Sequence, residues 1–482
     1  MQDLYKKKII LIIFICVFFG IFLRLYNINY DNLWYDEILS FWIADPAISI
    51  KESLKRHQSI EQIPFLFNLI LKFLFKIFSY DPSIGRYLSS TFNILSIIFI
   101  VKILKQLKKN NSNILALFIL CANIYLIAYS QELRVYSMML FLCSLNLWLF
   151  LHILKKNKKL QRVSFGLSAL FISSQILMII SHPFCLIVFF STSIFSLLNY
   201  IKFKVKIKLI NSSILITTLF SIIYFLIYVN TIDTYPGWIV QPDIKFYTNF
   251  YFSKFFGSRI VGLVHLLILI YLIFFFRKKL KNDFFKLNIF LIILFLSYFL
   301  PMLFGYIFRP IIFPRYIIFV LIPIVVILSF LIFEIKNKTI KNILIFLIVT
   351  LTIGNLYTES TIQQFIKERP FHKTNFSKAI NEISQSKNKN YTLDLKFSQK
   401  REVASINAIR SYIDKLSSNM NINLNYIKKD DFINSDQKEI WAICILGIMN
   451  DRCNFLDKKF NSNIIYEKYF SDINLRQIKK IN

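Results

Sequence analysis

Acid, glycine and cysteine are scarce in this chain. Of 482 residues, 27 are Asp or Glu against 58 Lys or Arg, nine are Gly and six are Cys. Charged residues make up 18%, where an ordinary globular chain has roughly 25%. So little charge excludes a soluble protein of this size. No CxxC pair and no Cys/His metal spacing occurs, which argues against a structural zinc site. The few glycines, and the lack of any repeat relating the two halves, count against a transporter built from inverted repeats and glycine-broken helices. The first apolar run follows MQDLYKKK and lacks a small-residue cleavage site, so it reads as a retained span and not a removed signal peptide.

Apolar and aromatic residues are what the chain has, at 56% and 17%. Runs of about 17–22 apolar residues recur, the length a helix needs to cross a bilayer. They predict about eleven spans, at 8–24, 87–106, 112–129, 136–153, 163–180, 184–200, 209–229, 260–276, 287–303, 316–334 and 342–357. The intervening loops alternate in charge. Lys-rich clusters at 6–8, 105–111, 155–162, 202–208, 277–286 and 334–342 all fall on one side, which the positive-inside rule makes cytoplasmic. The formal charge of +31 therefore reads as membrane topology and anionic lipid, with no nucleic-acid partner.

The other side holds a first loop of about 25–86, the stretches 129–134, 181–183, 230–259 and 304–315, and the tail. The segment 63–78 is apolar but carries Lys72 and Lys76, the pattern of a helix lying on the outer membrane surface. The tail, 358–482, is polar. Strand-like runs (NYTLDLKF, IWAICILGI) alternate there with helix-like ones, which predicts a small α/β domain outside the cytoplasm. The domain expectation is thus a membrane part over 1–357, including the first loop with its interfacial helices, and a soluble part over 358–482. Cys16, Cys121, Cys143 and Cys185 lie in or beside spans and read as apolar packing. Cys444 and Cys453 bracket a short tail loop; either they form a disulfide, or Cys444 is a buried strand residue and Cys453 a free loop thiol.

The candidate chemistry lies at span ends on the outer side. In NLWYDEILSF the acid pair Asp36 and Glu37 follows Trp34 and Tyr35, aromatic residues that favour headgroup depth. Arg24, Arg86, Arg134 and Arg315 stand at four span boundaries on the same side, against the general charge bias. Their planar forks suit phosphate oxygens. Snorkelling, or pairing with Glu132 and Asp81, is the plainer reading of any one of them. His57, His182, Tyr136 and Tyr316 are neutral candidates for donor or acceptor binding, as are Gln131 and Glu132 for sugar hydroxyls.

Four stretches, taken in order, resemble the GT-C membrane glycosyltransferases, in particular the branch of the protein-O-mannosyltransferases and aminoarabinose transferases. They are RLYNINYDNLWYDEILS, HQSIEQIPFLFNLILKFLF with SIGRYLSSTFNIL, YSQELRVYSMML, and PRYIIFVLIP. The chain departs from that pattern at Gln62-Ile63-Pro64, where the family often has Pro-Pro after a Lys or His; the nearest His here is His57. The resemblance implies an all-α polytopic membrane enzyme of GT-C type that takes a sugar from a polyprenyl-phosphate carrier and passes it to a bulky or amphipathic acceptor. It implies Asp36 as the single base of an inverting transfer, with Glu37 orienting acceptor or sugar, and Arg86, Arg134 and Arg315 on the departing phosphate. No cofactor is expected. Some GT-C enzymes hold a divalent cation, but this branch generally does not, and no further clustered acid completes a site beside Asp36 and Glu37. The competing readings are a transporter or flippase for polyprenyl-linked sugars and a polysaccharide ligase or polymerase. The expected location is the plasma membrane, with the N-terminus cytoplasmic and the site and tail extracytoplasmic.

Overall fold

The computed structural model describes residues 2–61, 63–107, 111–158, 163–203, 208–229, 239–281, 285–358, 373–394, 399–445 and 462–480. They belong to two compact units. One comprises Met1–Tyr26, Ile63–Phe67 and Arg86–Arg369; the other comprises Asn27–Gln62, Asn68–Gly85 and Pro370–Asn482. Most of the first loop, expected with the membrane part, groups by compactness with the tail, while its Ile63–Phe67 stretch groups with the first unit.

The helices begin with α1 (Gln2–Leu25), α2 (Tyr35–Ile43), α3 (Ile50–Ile60), α4 (Leu66–Ile77), α5 (Pro82–Leu107), α6 (Ser112–Ala122), α7 (Ile124–Ser130) and α8 (Tyr136–Lys158). They continue at Phe165–Ile179, Leu186–Phe203, Lys208–Val229, Arg259–Phe275, Asn288–Ile307, Leu321–Glu334 and Lys338–Thr358. Every expected span falls on helix. Among the described residues, eight helices are long and apolar enough to cross a membrane, or nine if the bent pair α6–α7 is one span. Phe165–Ile179 and Arg259–Phe275 are shorter, at 15 and 17 residues. At 1.5 Å per residue they reach about 23–26 Å, less than a hydrocarbon core of about 30 Å. Where eleven spans are expected, the described residues hold these eight or nine full-length candidates and two shorter apolar helices. The 12-residue α4 reaches only about 18 Å, too short to cross.

Burial sorts the helices of the first unit. The apolar window of Pro314–Glu334 is 89% buried, against 17% for α1 and 11% for Lys338–Tyr357. Leu321–Ile332 is apolar on all sides and wholly buried, as an interior helix must be. The outer helices instead expose Phe14, Phe18 and Phe346, side chains suited to lipid contact.

The predicted span 112–129 is broken. Between α6 and α7 the axis turns by 55° at Asn123, whose backbone is extended. A break inside an apolar layer strands carbonyls that water cannot reach. Arg24 satisfies them. Its guanidinium donates to Leu120 O (2.9 Å), Cys121 O (3.0 Å), Gly20 O (2.8 Å) and Asn93 Oδ1 (2.8 Å). Asn93 in turn donates to Leu126 O, and Asn123 Oδ1 accepts the Leu126 N–H. Gly20 permits the close approach: a Cβ there would lie 2.7 Å from Cys121 Sγ. The expectation of Arg24 as a phosphate-facing cation is therefore corrected. Its donors are spent on the broken span, and its side chain is fully buried.

The second unit carries a five-stranded sheet of order β2-β1-β3-β5-β4, with β1 (Asn390–Leu393), β2 (Asn425–Tyr426), β3 (Glu439–Ile445), β4 (Ser462–Phe470) and β5 (Ile473–Lys480). β1 pairs in parallel with β2 and β3, and the helix Gln399–Asn419 makes the β1–β2 crossover. β5 runs antiparallel between β3 and β4. β3 reads as a continuous apolar run because it is central and buried from Ile440 to Ile445. Inside the sheet Arg476 holds Asp394 at 2.9 Å, both almost fully buried. The small α/β tail domain expected from the sequence is present. Cys16, Cys121, Cys143 and Cys185 are free thiols. Cys444 is buried in β3 and is disulfide-bonded, which favours the disulfide alternative; Cys453 lies outside the described residues.

Candidate active site

In the first unit three segments converge at the start of α8. A tight turn, with Arg134 N–H donating to Glu132 O at 2.8 Å, ends the α7–α8 connection and places Arg134 just ahead of the helix. Tyr136 opens α8. The guanidinium carbon of Arg134 lies 6.0 Å from the Tyr136 ring centre, and that of Arg315 lies 5.7 Å from the same ring. Arg315 sits in the 3-10 turn Pro314–Val320, and it also packs 5.0 Å from Phe313 and 5.8 Å from Tyr316. His182 closes the group, its ring 5.2 Å from Tyr316 and 6.3 Å from Tyr136. The Phe184 N–H donates to His182 Nδ1, which fixes the ring in the Ser181–Pro183 turn. Both arginines are less than a tenth exposed, at 5% and 8%.

Two guanidinium ions around one aromatic ring repel each other, more strongly in a buried setting than in water. The ring face recovers part of that, about 1 kcal/mol for each cation. Glu132 and Arg315 both act electrostatically on Tyr129, whose ring packs edge-on against Tyr136 at 5.4 Å. The group thus gathers two guanidinium forks, a phenol and an imidazole, side-chain types that suit phosphate oxygens and hydroxyls.

Arg86 is buried at the head of the α5 segment in this unit. Ser89, on the adjoining turn of the same helix face, donates to Arg134 O at 3.4 Å, which ties the Arg86 end of α5 to the cluster. Gln131 is used differently from expectation. Its amide nitrogen donates to Leu23 O and Tyr26 O, capping the last turn of α1, which gives it a structural role.

Asp36, Glu37 and His57 belong to the second unit. The pair parts company there. Asp36 is half-buried. Glu37 is fully buried, pairs with Lys373 at 2.8 Å, and accepts the Trp34 N–H at 3.4 Å as the third residue of α2. On a helix neighbours point about 100° apart, so one is turned inward and the other is left at the surface. The far end of α2 is also fixed. Tyr80 stacks on Phe41 at 4.0 Å and donates to Phe41 O, and Arg56 donates to Trp42 O while pairing with Asp45 at 3.7 Å. Burial pushes the Tyr80 and Tyr35 phenols above their ordinary range, so both stay neutral. Lys72 donates to Asp45 O, and burial holds its ammonium below its usual value. His57 is buried with Nδ1 3.2 Å from the Asn68 side-chain nitrogen, a packing contact between α3 and α4. Sequence reasoning missed Lys373, Ser405 and Tyr412, tail residues that touch the α2 region. Nothing local marks them, since Lys373 lies 336 positions from Glu37. Among the described residues, no group of three or more His, Cys, Asp or Glu could hold a metal ion.

No protein-family model matches the sequence, and no curated protein matches it either. The fold is shared with solved structures nonetheless. The chain has the GT-C fold, mostly helical with candidate membrane spans and a small carboxyl-terminal sheet domain. It superposes on ArnT from Cupriavidus metallidurans in the apo state with a TM-score of 0.58 and 10% identity, covering 98% of each chain. The structure of the same protein bound to undecaprenyl phosphate gives 0.53 and 8%, covering 99% of this chain and 98% of that one. The archaeal oligosaccharyltransferase AglB from Archaeoglobus fulgidus, in complex with an inhibitory peptide and a dolichol-phosphate, gives 0.52 and 9% over 94% of this chain and 70% of that one. At such identities the likeness is one of fold. It agrees with the fold expected from the sequence motifs.

Proposed function

We propose that this chain is an inverting membrane glycosyltransferase that moves a sugar from a polyprenyl-phosphate carrier to an acceptor hydroxyl outside the cytoplasm. The observation that carries the reading is the buried approach of Arg134 and Arg315 to one ring, at 6.0 and 5.7 Å, within a GT-C fold. Solved structures show ArnT bound to undecaprenyl phosphate and AglB in complex with a dolichol-phosphate, lipid phosphates of the same chemical kind. The six Lys-rich loops support a plasma-membrane orientation with the site and the tail outside.

In this reading the acceptor oxygen attacks the anomeric carbon of the sugar. Its proton passes to the Asp36 carboxylate as the new C–O bond forms. The bond from the anomeric carbon to the phosphate oxygen breaks on the opposite face, and its electron pair leaves with the polyprenyl phosphate. Phosphate is a good leaving group, so one base suffices, unlike the carboxyl pair of a glycosidase. Arg86, Arg134 and Arg315 offset the charge that grows on the phosphate. Tyr136, Tyr316, His182 and Glu132 bind sugar or acceptor hydroxyls, Glu37 orients the acid helix, and His57 supports it from α3. A bulky or amphipathic acceptor, whether lipid, glycan or protein, fits the large outer loops.

The test is transfer in membranes supplied with radiolabelled polyprenyl-phosphate-linked sugars. Asp36→Asn should lower the rate by about 10²–10⁴-fold, the usual contribution of a positioned base. Transfer by that variant at the wild-type rate would remove Asp36 from the role. Labelled carrier crossing the bilayer without any transfer by the wild-type chain would favour a flippase instead.

A further inference from the structure

The tail domain holds the acid helix by its first turn. Asn32 Oδ1 accepts the Ser377 N–H at 2.9 Å. The Leu33 N–H donates to the Tyr412 hydroxyl at 2.8 Å. The Tyr35 and Ser405 hydroxyls share a hydrogen bond of 2.7 Å. Lys373 pairs with the fully buried Glu37 at 2.8 Å. These contacts come from two separate tail elements. Ser405 and Tyr412 stand seven residues apart on the helix Gln399–Asn419, hence on one face. Lys373 and Ser377 flank the start of the helix Phe376–Gln385. That start is itself fixed, because Asn375 caps it and Thr374 donates to Asp472 in the β4–β5 turn.

The pattern is more than packing. Tyr35 and Glu37, the two residues either side of Asp36, are both tied to the tail, and both are buried. Between two such anchors the Cα–Cβ direction of Asp36 has almost no freedom. A carboxylate that must meet an acceptor proton needs that precision, since a small displacement of a reacting group costs much of its rate. A loop helix of nine residues, too short to hold itself in water, would otherwise fray at this end.

We infer that Lys373, Ser405 and Tyr412 are positioning residues, and that the tail domain acts in transfer by setting the orientation of Asp36 through the first turn of α2. This rests on the reading of Asp36 as the base. It assigns the carboxyl-terminal domain a role in the turnover step and none in holding the donor.

The test uses the full-length chain in lipid nanodiscs and the radiolabelled polyprenyl-phosphate-linked sugars extracted from host membranes. The variants are Tyr412→Phe with Ser405→Ala, Lys373→Met, Lys373→Arg, and Asp36→Asn for reference. Hydrogen exchange over residues 32–38 reports the clamp without any turnover. For folded Tyr412→Phe/Ser405→Ala, exchange there should quicken and kcat should fall about ten-fold, as for loss of an outer orienting group, with apparent KM held within about two-fold. Lys373→Met should behave likewise, and Lys373→Arg should recover most of the rate. Unchanged exchange and kcat in the folded double variant would overturn the inference, as would a rise in KM at constant kcat. If Asp36→Asn is inactive while the clamp variants turn over normally, only the positioning role falls. If Asp36→Asn keeps the wild-type rate, the underlying reading falls and takes the positioning role with it.

Discussion

Tyr136 stands between two guanidinium groups, and the account of phosphate departure rests on them. Arg315 makes the denser set of contacts, with three rings within 6 Å of its guanidinium carbon. Arg315→Met should therefore lower transfer by about 10²–10³-fold, the scale of one lost oxyanion donor. Arg315→Lys keeps the charge and loses the fork, so it should fall between the two. Initial rates on labelled carrier decide this, and a wild-type rate for Arg315→Met would place the phosphate elsewhere. Much of this cluster is legible in the sequence. Arg134, Tyr136, His182, Arg315 and Tyr316 stand at span ends expected on one side, and the fold brings them together. Two residues of the same appearance are engaged by the backbone instead. Arg24 and Gln131 also stand at span ends, but each is spent on stranded backbone carbonyls, a need that hydropathy does not reveal.

Among the elements, α6 and α7 show where a hydropathy run misleads. After its opening Ser112-Asn113, the stretch 112–129 is apolar but for one residue and contains no Gly or Pro, so it reads as one helix. The one polar interruption is Asn123, and the structure turns there. Arg24→Met would leave Leu120 O and Cys121 O without their donor, at about 1–3 kcal/mol for each carbonyl left unsatisfied. The expected result is a lower thermal midpoint of the full chain in detergent, with transfer per folded molecule preserved. An unchanged midpoint would show that the break does not depend on Arg24. In the tail, β1, β3 and the two helices between 376 and 419 are legible from apolar spacing. The β4–β5 hairpin is harder to see, because Lys, Glu and Arg interrupt its alternation and Arg476 is turned into the sheet to meet Asp394.

For the whole molecule, the sequence suggests a division into membrane part and tail, while compactness joins most of the first loop to the tail. That grouping is invisible in the chain, because it depends on pairs such as Glu37 and Lys373 that lie hundreds of residues apart. The membrane part is legible because its order of apolar runs and charged loops follows from the bilayer itself. The central claim is that this fold binds a polyprenyl phosphate through its phosphate, using Arg134 and Arg315. Native mass spectrometry of the full-length chain in nanodiscs, titrated with undecaprenyl phosphate and with undecaprenol, tests it directly. The wild-type chain should retain the phosphate-bearing lipid at least about ten-fold more tightly, and Arg134→Met/Arg315→Met should lose that preference. Equal retention of the two lipids by the wild-type chain, or a preference undiminished in the double variant, would contradict it.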